Sequence, residues 1–306
     1  TIMEYGIREL LPDSIDLVSG PGCPVCVSDQ HDIDCMIELA HSGVPVATYG
    51  DMLRVPGSRY RLEDAKAKYG NVFEVYSVEE VLRLRRMHPN IVFFGIGFET
   101  TTPMSAFLLE HKVPVYSVHK LVPPAMLALL QGEVHIDGFI DPGHVSAIIG
   151  SDPYQDVPAS QAIAGFEPEQ ILRAIRMLLP LIIDAKRACV NAYPEVVSRQ
   201  GNPVARRLIH KHFRVVDSLW RGFGIMPMSG LEVKDDALNA RIIHKAILDR
   251  VGPVKKTACR CGEVIQGRIT PPQCRLYRTA CTPENAVGPC MVSEEGACAA
   301  YYRSGK

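Results

Sequence analysis

The sequence has almost no excess charge of either sign, a single Trp, and no apolar run of membrane-spanning length. Lys and Arg number 33 against 34 Asp and Glu, for a formal net charge of −1. That balance gives no reason to expect nucleic acid or a membrane surface as partner. The longest apolar stretches, such as MLLPLIIDA at 177–185, stop short of the roughly 20 residues a membrane helix needs. No charged segment followed by an apolar one opens the chain. A start at Thr1 leads us to expect residues upstream. Neither a solenoid-period repeat nor a low-complexity tract is present.

What is there is cysteine, unevenly placed. The 306 residues are long enough for roughly two or three domains with ordinary cores, so the ten cysteines are not needed as staples. Cys23, Cys26 and Cys35 lie near the start, Cys189 stands alone, and six fall between 259 and 298. Such clustering reads as metal binding or redox chemistry rather than extracellular cross-linking.

Strand and helix patterns alternate through the first 160 residues, which implies parallel sheets and an α/β architecture. IDLV at 15–18 reads as a strand running into the Gly-Pro-Gly-Cys loop, VPVATYG at 44–50, NVFEVYS at 71–77 and VPVYSVH at 113–119 read as strands, and so does 136–140 before its loop. NIVFFGIG at 90–97 is the clearest buried strand, continuous and apolar. HDIDCMIELAHSG shows a helical face at 33, 36, 37 and 40 with Gly43 as its stop, and SVEEVLRLRRMHP reads as a helix capped by Ser77. The stretch at 167–197 reads as mostly helical with a kink at Pro180, and PVARRLIHKHFRVVDSLW at 203–220 as another helix. From about Thr257 the chain turns rich in Gly, Pro and Cys. This tail needs a cofactor to hold it.

Ligands in open parallel sheets sit beyond the carboxyl ends of strands. Four loops there carry candidate chemistry: GPGCPVC at 20–26, GIGFETTTP at 95–103, DPGHVSAIIG at 141–150 and GFEPEQ at 165–170. If the sheets are parallel, these loops can converge on one cleft. GIGFETTTP is half a dinucleotide fingerprint, lacking its third glycine; it serves equally as a strand-to-helix turn capped by Thr101 or Thr102. Its functional reading puts Glu99 at the cleft mouth as a proton carrier or ligand. His144 sits on a tight turn, either hydrogen-bonded structurally or facing the cleft. Cys23 and Cys26 sit two residues apart behind a Gly-Pro-Gly turn, where a lowered thiolate pKa and local disulfide closure are both feasible; direct iron or zinc ligation is the alternative.

The tail lacks zinc-ribbon spacing, and no His stands among its thiols. Cys261, Cys274, Cys281 and Cys298 are separated by 12, 6 and 16 residues. Wide, uneven spacing of thiolates suits an iron–sulfur cube reached from separate loops. Chemistry alone does not choose this quartet over one using Cys259 or Cys290, and a structural zinc site stays open.

Taken together, GPGCPVCV, GFETTTP, PGHVSAIIG, GFEPEQ and the tail ending MVSEEGACAAYY closely resemble the HypD family of hydrogenase maturation factors, in order and along the whole chain. That resemblance implies two similar Rossmann-like α/β domains with parallel sheets plus a third, largely helical iron–sulfur domain. We place them at 1–88, 89–165 and 166–306. It implies a cytoplasmic scaffold and redox protein for the Fe(CN)2CO centre of [NiFe]-hydrogenase, monomeric when alone, with a HypC-type small chaperone and a HypE-type cyanide donor as partners. It also implies one [4Fe–4S] cluster through C-x12-C-x6-C-x16-C, which falls on Cys261, Cys274, Cys281 and Cys298. Cys23 and Cys26 become a switchable dithiol. Glu99 and His144 handle protons, and Gly97, Thr100, Thr101, Gly143 and Glu167 line the bound iron's cleft. The family's upstream Cys-Gly-x-His motif does not occur in this sequence. With every other motif intact, we expect a shortened sequence rather than a copy unable to hold iron. The rival expectation is a stand-alone thiol–disulfide reductase using the same cluster and dithiol.

Overall fold

The computed structural model describes residues 1–305 and contains nine strands in two sheets, with helices packed around them. In chain order the strands are β1 (Val46–Thr48), β2 (Val72–Glu74), β3 (Val92–Gly97), β4 (Val115–Lys120), β5 (Gly138–Pro142), β6 (Ser160–Ala164), β7 (Cys189–Asn191), β8 (Phe213–Trp220) and β9 (Gly224–Val233). The first sheet runs β2-β1-β3-β4-β9-β8 and the second β5-β6-β7. β1 to β4 pair in parallel, as do the three strands of the second sheet. The architecture is thus mixed α/β with parallel sheets, as the alternating pattern predicts.

β3 and β4 are buried along their whole length, which accounts for their unbroken apolar runs. The helix Gln30–His41 buries Ile33, Met36, Ile37 and Ala40, the face its spacing predicts. Asp29 caps its start by accepting from His31 N at 2.8 Å. Among the described residues no helix is long and apolar enough to cross a membrane.

Several expectations need correction. Residues 15–20 form no strand; they run irregularly into the GPGCPVC loop, whose cysteines open a one-turn helix, Pro24–Val27. PVARRLIHKHFRVVDSLW is helical only over Pro203–His212. Its second half is β8, in which Phe213 and Trp220 are buried while Arg214, Val215, Asp217 and Leu219 face outward. β-branched and aromatic side chains favour a pleated edge strand over a helix there. Cys189 lies on β7, past the end of the helix Pro168–Ile183 that carries Pro180. Strand pairing runs across the positions 88 and 165. β1 pairs with β3 across residue 88, and β6 pairs with β7 across residue 165. The β8–β9 hairpin returns from residues 213–233 to complete the first sheet by antiparallel pairing of β9 with β4. The tail carries the short helices Cys261–Ile265, Pro289–Val292 and Ala297–Arg303.

Candidate functional site

Cys23 closes a disulfide with Cys26. A Cα–Cα separation of 5.2 Å across a single helical turn brings the two sulfurs together without long-range rearrangement. Pro24 starts that turn at the position where a missing N–H costs nothing, and Cys26 N donates to Cys23 Sγ at 3.1 Å. Both cysteines are buried, at 4% and 0% exposure. They belong to one apolar cluster with Phe98, Trp220 and the buried tail cysteines.

The tail thiols converge on a single pocket. Cys259, Cys261, Cys274, Cys281, Cys290 and Cys298 all line it, with Val264, Leu276, Tyr277 and Met291 as its apolar walls. Cys261 is hydrogen-bonded to Cys259 and Cys290, and Cys290 to Cys298. Two backbone amides already point at sulfur: Val287 N donates to Cys281 Sγ, and Cys298 N to Cys290 Sγ, each at 3.4 Å. Gly288 has no side chain because Cys259 Sγ fills the space, 2.3 Å from where a Cβ would stand. The Cys259 thiol is pushed up by its bond with Cys261 and then by burial, and burial raises Cys281.

Number, type and enclosure of these donors fit a sulfur-ligated cluster. As placed, the side chains are turned toward one another, and among the described residues no three His, Cys, Asp or Glu side chains stand in ion-binding geometry. The pocket does not set the quartet Cys261, Cys274, Cys281 and Cys298 apart from Cys259 and Cys290. All six are equally part of it.

The GIGFETT loop lies at the carboxyl end of β3. Gly97 takes φ +153°, and a Cβ there would fall 1.6 Å from Thr101 Oγ1. Thr101 donates back to Ile96 O at 3.3 Å, and Thr102 to Phe98 O at 2.9 Å. Thr100 is half-buried beside them. The threonines therefore brace the turn itself. Glu99 is different. It is 3% exposed and accepts from Val122 N at 3.1 Å through Oε1. Burial pushes its carboxyl up to about 7, against the opposing pull of that amide and its own.

Two residues of the same core escaped the sequence reading. Lys120 ends β4 fully buried, donating to Leu219 O at 2.9 Å and to Ser218 Oγ, with its ammonium 5.9 Å from the Trp220 ring. Among the described residues no carboxylate pairs with it, and burial pushes it down to about 8. Its signal in the sequence was a charged residue closing the buried run VPVYSVHK. Trp220, the single Trp, lies on the Phe98 ring with centroids 6.1 Å apart.

The other loops go elsewhere. His144 is exposed at the carboxyl end of β5, with its ring 4.4 Å from that of Phe166. Among the described residues no hydrogen bond joins it to Glu99 or to the disulfide. Gly143 packs so closely that a Cβ would lie 2.3 Å from Ala164 O. Glu167 is an exposed N-cap of the helix Pro168–Ile183, with Gln170 closing the capping box at 3.2 Å from Glu167 N. So the disulfide, the GIGFETT loop and the tail cysteines share one core, while His144, Gly143 and Glu167 cluster on the second sheet.

Comparison with known proteins agrees along the whole chain. The family model HypD, described as the hydrogenase formation hypA family, matches residues 1–305. The hydrogenase maturation factor HypD of Azotobacter vinelandii is 39% identical over 327 residues, covering 100% of this chain and 86% of its own. HypD of Escherichia coli K12 is 38% identical over 323 residues, covering 99% and 85%. The hydrogenase expression/formation protein HupD of Azotobacter chroococcum is 40% identical over 327 residues, covering 100% and 86%. With its motifs, its parallel sheets and this full-length match, the chain belongs to the HypD family of hydrogenase maturation factors.

Proposed function

We propose that this maturation factor is a scaffold and redox protein for assembling the Fe(CN)2CO centre of [NiFe]-hydrogenase, working in the cytoplasm with a HypC-type small chaperone and a HypE-type cyanide donor. The observation that carries the reading is the Cys23–Cys26 disulfide lying in the same buried cluster as a six-thiol pocket. Cys261, Cys274, Cys281 and Cys298 would hold a [4Fe–4S] cluster, with Cys259 and Cys290 against it. When bound, such a cluster supplies single electrons.

The chain's own residues define the rest. Reduction of the pair breaks one S–S bond, takes up two electrons and two protons, and leaves Cys23 and Cys26 as thiols able to bind soft, strong-field iron. Glu99, with a carboxyl tuned near neutrality, can hold or release a proton at the edge of this core. His144 and Glu167 belong to the second sheet, where they are exposed to an incoming partner rather than to the disulfide. Near-complete burial of the disulfide counts against a stand-alone reductase, whose disulfide must meet a protein substrate.

The test is anaerobic purification of the wild type and Cys274→Ala, with iron and acid-labile sulfide analysis, then infrared spectra of the complex with the small partner. Iron and sulfide in the wild type alone, with cyanide and carbonyl stretches in the complex, are expected. A preparation that reduces protein disulfides without a partner and shows neither stretch refutes the scaffold role.

A further inference from the structure

Residues 220–223 turn β8 into β9, and they touch both halves of the thiol core. On one side the turn grips the helix Pro24–Val27. Arg221 N donates to Val27 O at 2.9 Å, Arg221 Nε to Ser28 O at 3.0 Å, and Arg221 Nη2 to Gln30 Oε1 at 3.3 Å. Trp220 adds an isolated antiparallel bridge to Ser28. The last carbonyls of a one-turn helix have no partners within it, so these donors complete its end.

On the other side the turn lies directly on the helix that Cys261 begins. A Cβ on Gly222 would stand 2.7 Å from Gly262 Cα, and one on Gly262 would stand 2.8 Å from Gly222 Cα. The two main chains touch with no side chain between them, and Gln266 Nε2 donates to Gly222 O. Gly222 also takes φ +85°, open to glycine at no cost. One residue thus holds the end of the disulfide helix, and the next holds the start of the cysteine pocket.

We infer that the Arg221–Gly222 turn is a positioning element that couples the two thiol groups, so that a displacement of the Cys261 helix is transmitted to the Cys23–Cys26 pair. This rests on the proposed reading in which the two groups act together. The coupling is mechanical. Close-packed backbone has no slack to absorb a shift, and the guanidinium carries that shift into Val27, Ser28 and Gln30.

The test uses the full chain purified anaerobically with whatever metal it carries. The Cys23–Cys26 disulfide is equilibrated with reduced and oxidised glutathione, and the oxidised fraction is read by alkylation and mass measurement. Gly222→Ala is compared with Gly224→Ala. Gly224 also has positive φ, +77°, but nothing lies within 4 Å of its missing Cβ, so it carries the same backbone penalty without the contact. Arg221→Gln and Arg221→Lys test the other side. A change of about threefold or more in the disulfide equilibrium is expected for Gly222→Ala over Gly224→Ala, and for Arg221→Gln over wild type, with Arg221→Lys recovering part of it. Equilibria within experimental error of the controls for both Gly222→Ala and Arg221→Gln overturn the inference, even if melting temperatures fall. Should Gly222→Ala fail to fold by circular dichroism, the Arg221 pair decides alone. Iron and sulfide content, measured separately, tells failure of the cluster reading from failure of the coupling.

Discussion

The carboxyl edges of the two sheets carry comparable motifs and opposite environments. At the first, Glu99 and Lys120 are both buried, Lys120 beside Trp220, and each is displaced toward neutrality by desolvation. At the second, His144 and Glu167 are exposed, with Glu167 serving a helix start. Buried carboxyls differ too. Burial alone would raise Asp32, but the Arg241 guanidinium at 2.8 Å, with Lys120 and Tyr116, overrides it and holds Asp32 below the usual range. Among the described residues, Asp141 on β5 has the Cys189 thiol at 3.8 Å as its hydrogen-bond partner and no partner for Oδ1, and burial pushes it far up. One core keeps its acid charged by pairing it with a guanidinium, and in the other burial favours the neutral, protonated acid. A motif at a strand end acquires chemistry from what covers it, not from its letters.

The largest effect expected concerns the pocket. Cys274→Ala should lower iron and sulfide per chain about tenfold relative to Cys35→Ala, a thiol outside the pocket, as read by metal analysis of anaerobic protein. Next comes the charged core. Arg241→Met should cost about 2–3 kcal/mol in urea unfolding, less than a fully buried pair because the Arg241 side chain is 32% exposed. Glu99→Gln comes third. The folded carboxyl titrates at about 7 against an ordinary 4.5, so the unfolded chain loses its proton first. Stability from Glu99 is therefore full below 4.5 and lost as pH rises through 7, on the order of 2–3 kcal/mol in total. Unfolding of Glu99→Gln should be flatter than wild type across that window, and an unchanged slope would place the proton elsewhere. Smallest is His144→Ala, expected within about 0.5 kcal/mol of wild type by the same measurement. A larger loss would mean that the second edge is less independent than its exposure indicates.

Much of this arrangement could be read in the residues. VFFGIG announced a buried central strand because a strand covered on both faces has no polar side to show. The convergence of six cysteines was foreshadowed by their crowding between 259 and 298. The β8–β9 hairpin was not legible. HKHFRVVDSLW continues a helical pattern without a break, and its partner strand adds Gly and Pro, so only the tertiary position of β4 decides in favour of a strand. Nor could periodicity reveal that 15–20 stays irregular, or that two sheets rather than one carry the other three loops. Sheet membership is set by pairing between distant residues. Arg221 was overlooked because an isolated basic residue carries no pattern, and Lys120 because a charge closing an apolar run reads as the polar end of a strand.

The hairpin that completes the first sheet has a further consequence. β4 ends at Lys120 and β9 begins at Gly224, and the whole second sheet lies between them. During synthesis β4 leaves the ribosome with one edge bare, and its missing neighbour appears only after β5, β6 and β7 have been made. Loop closure over that separation is slow, so the open edge is the part of the nascent chain most in need of shielding from other unfinished strands.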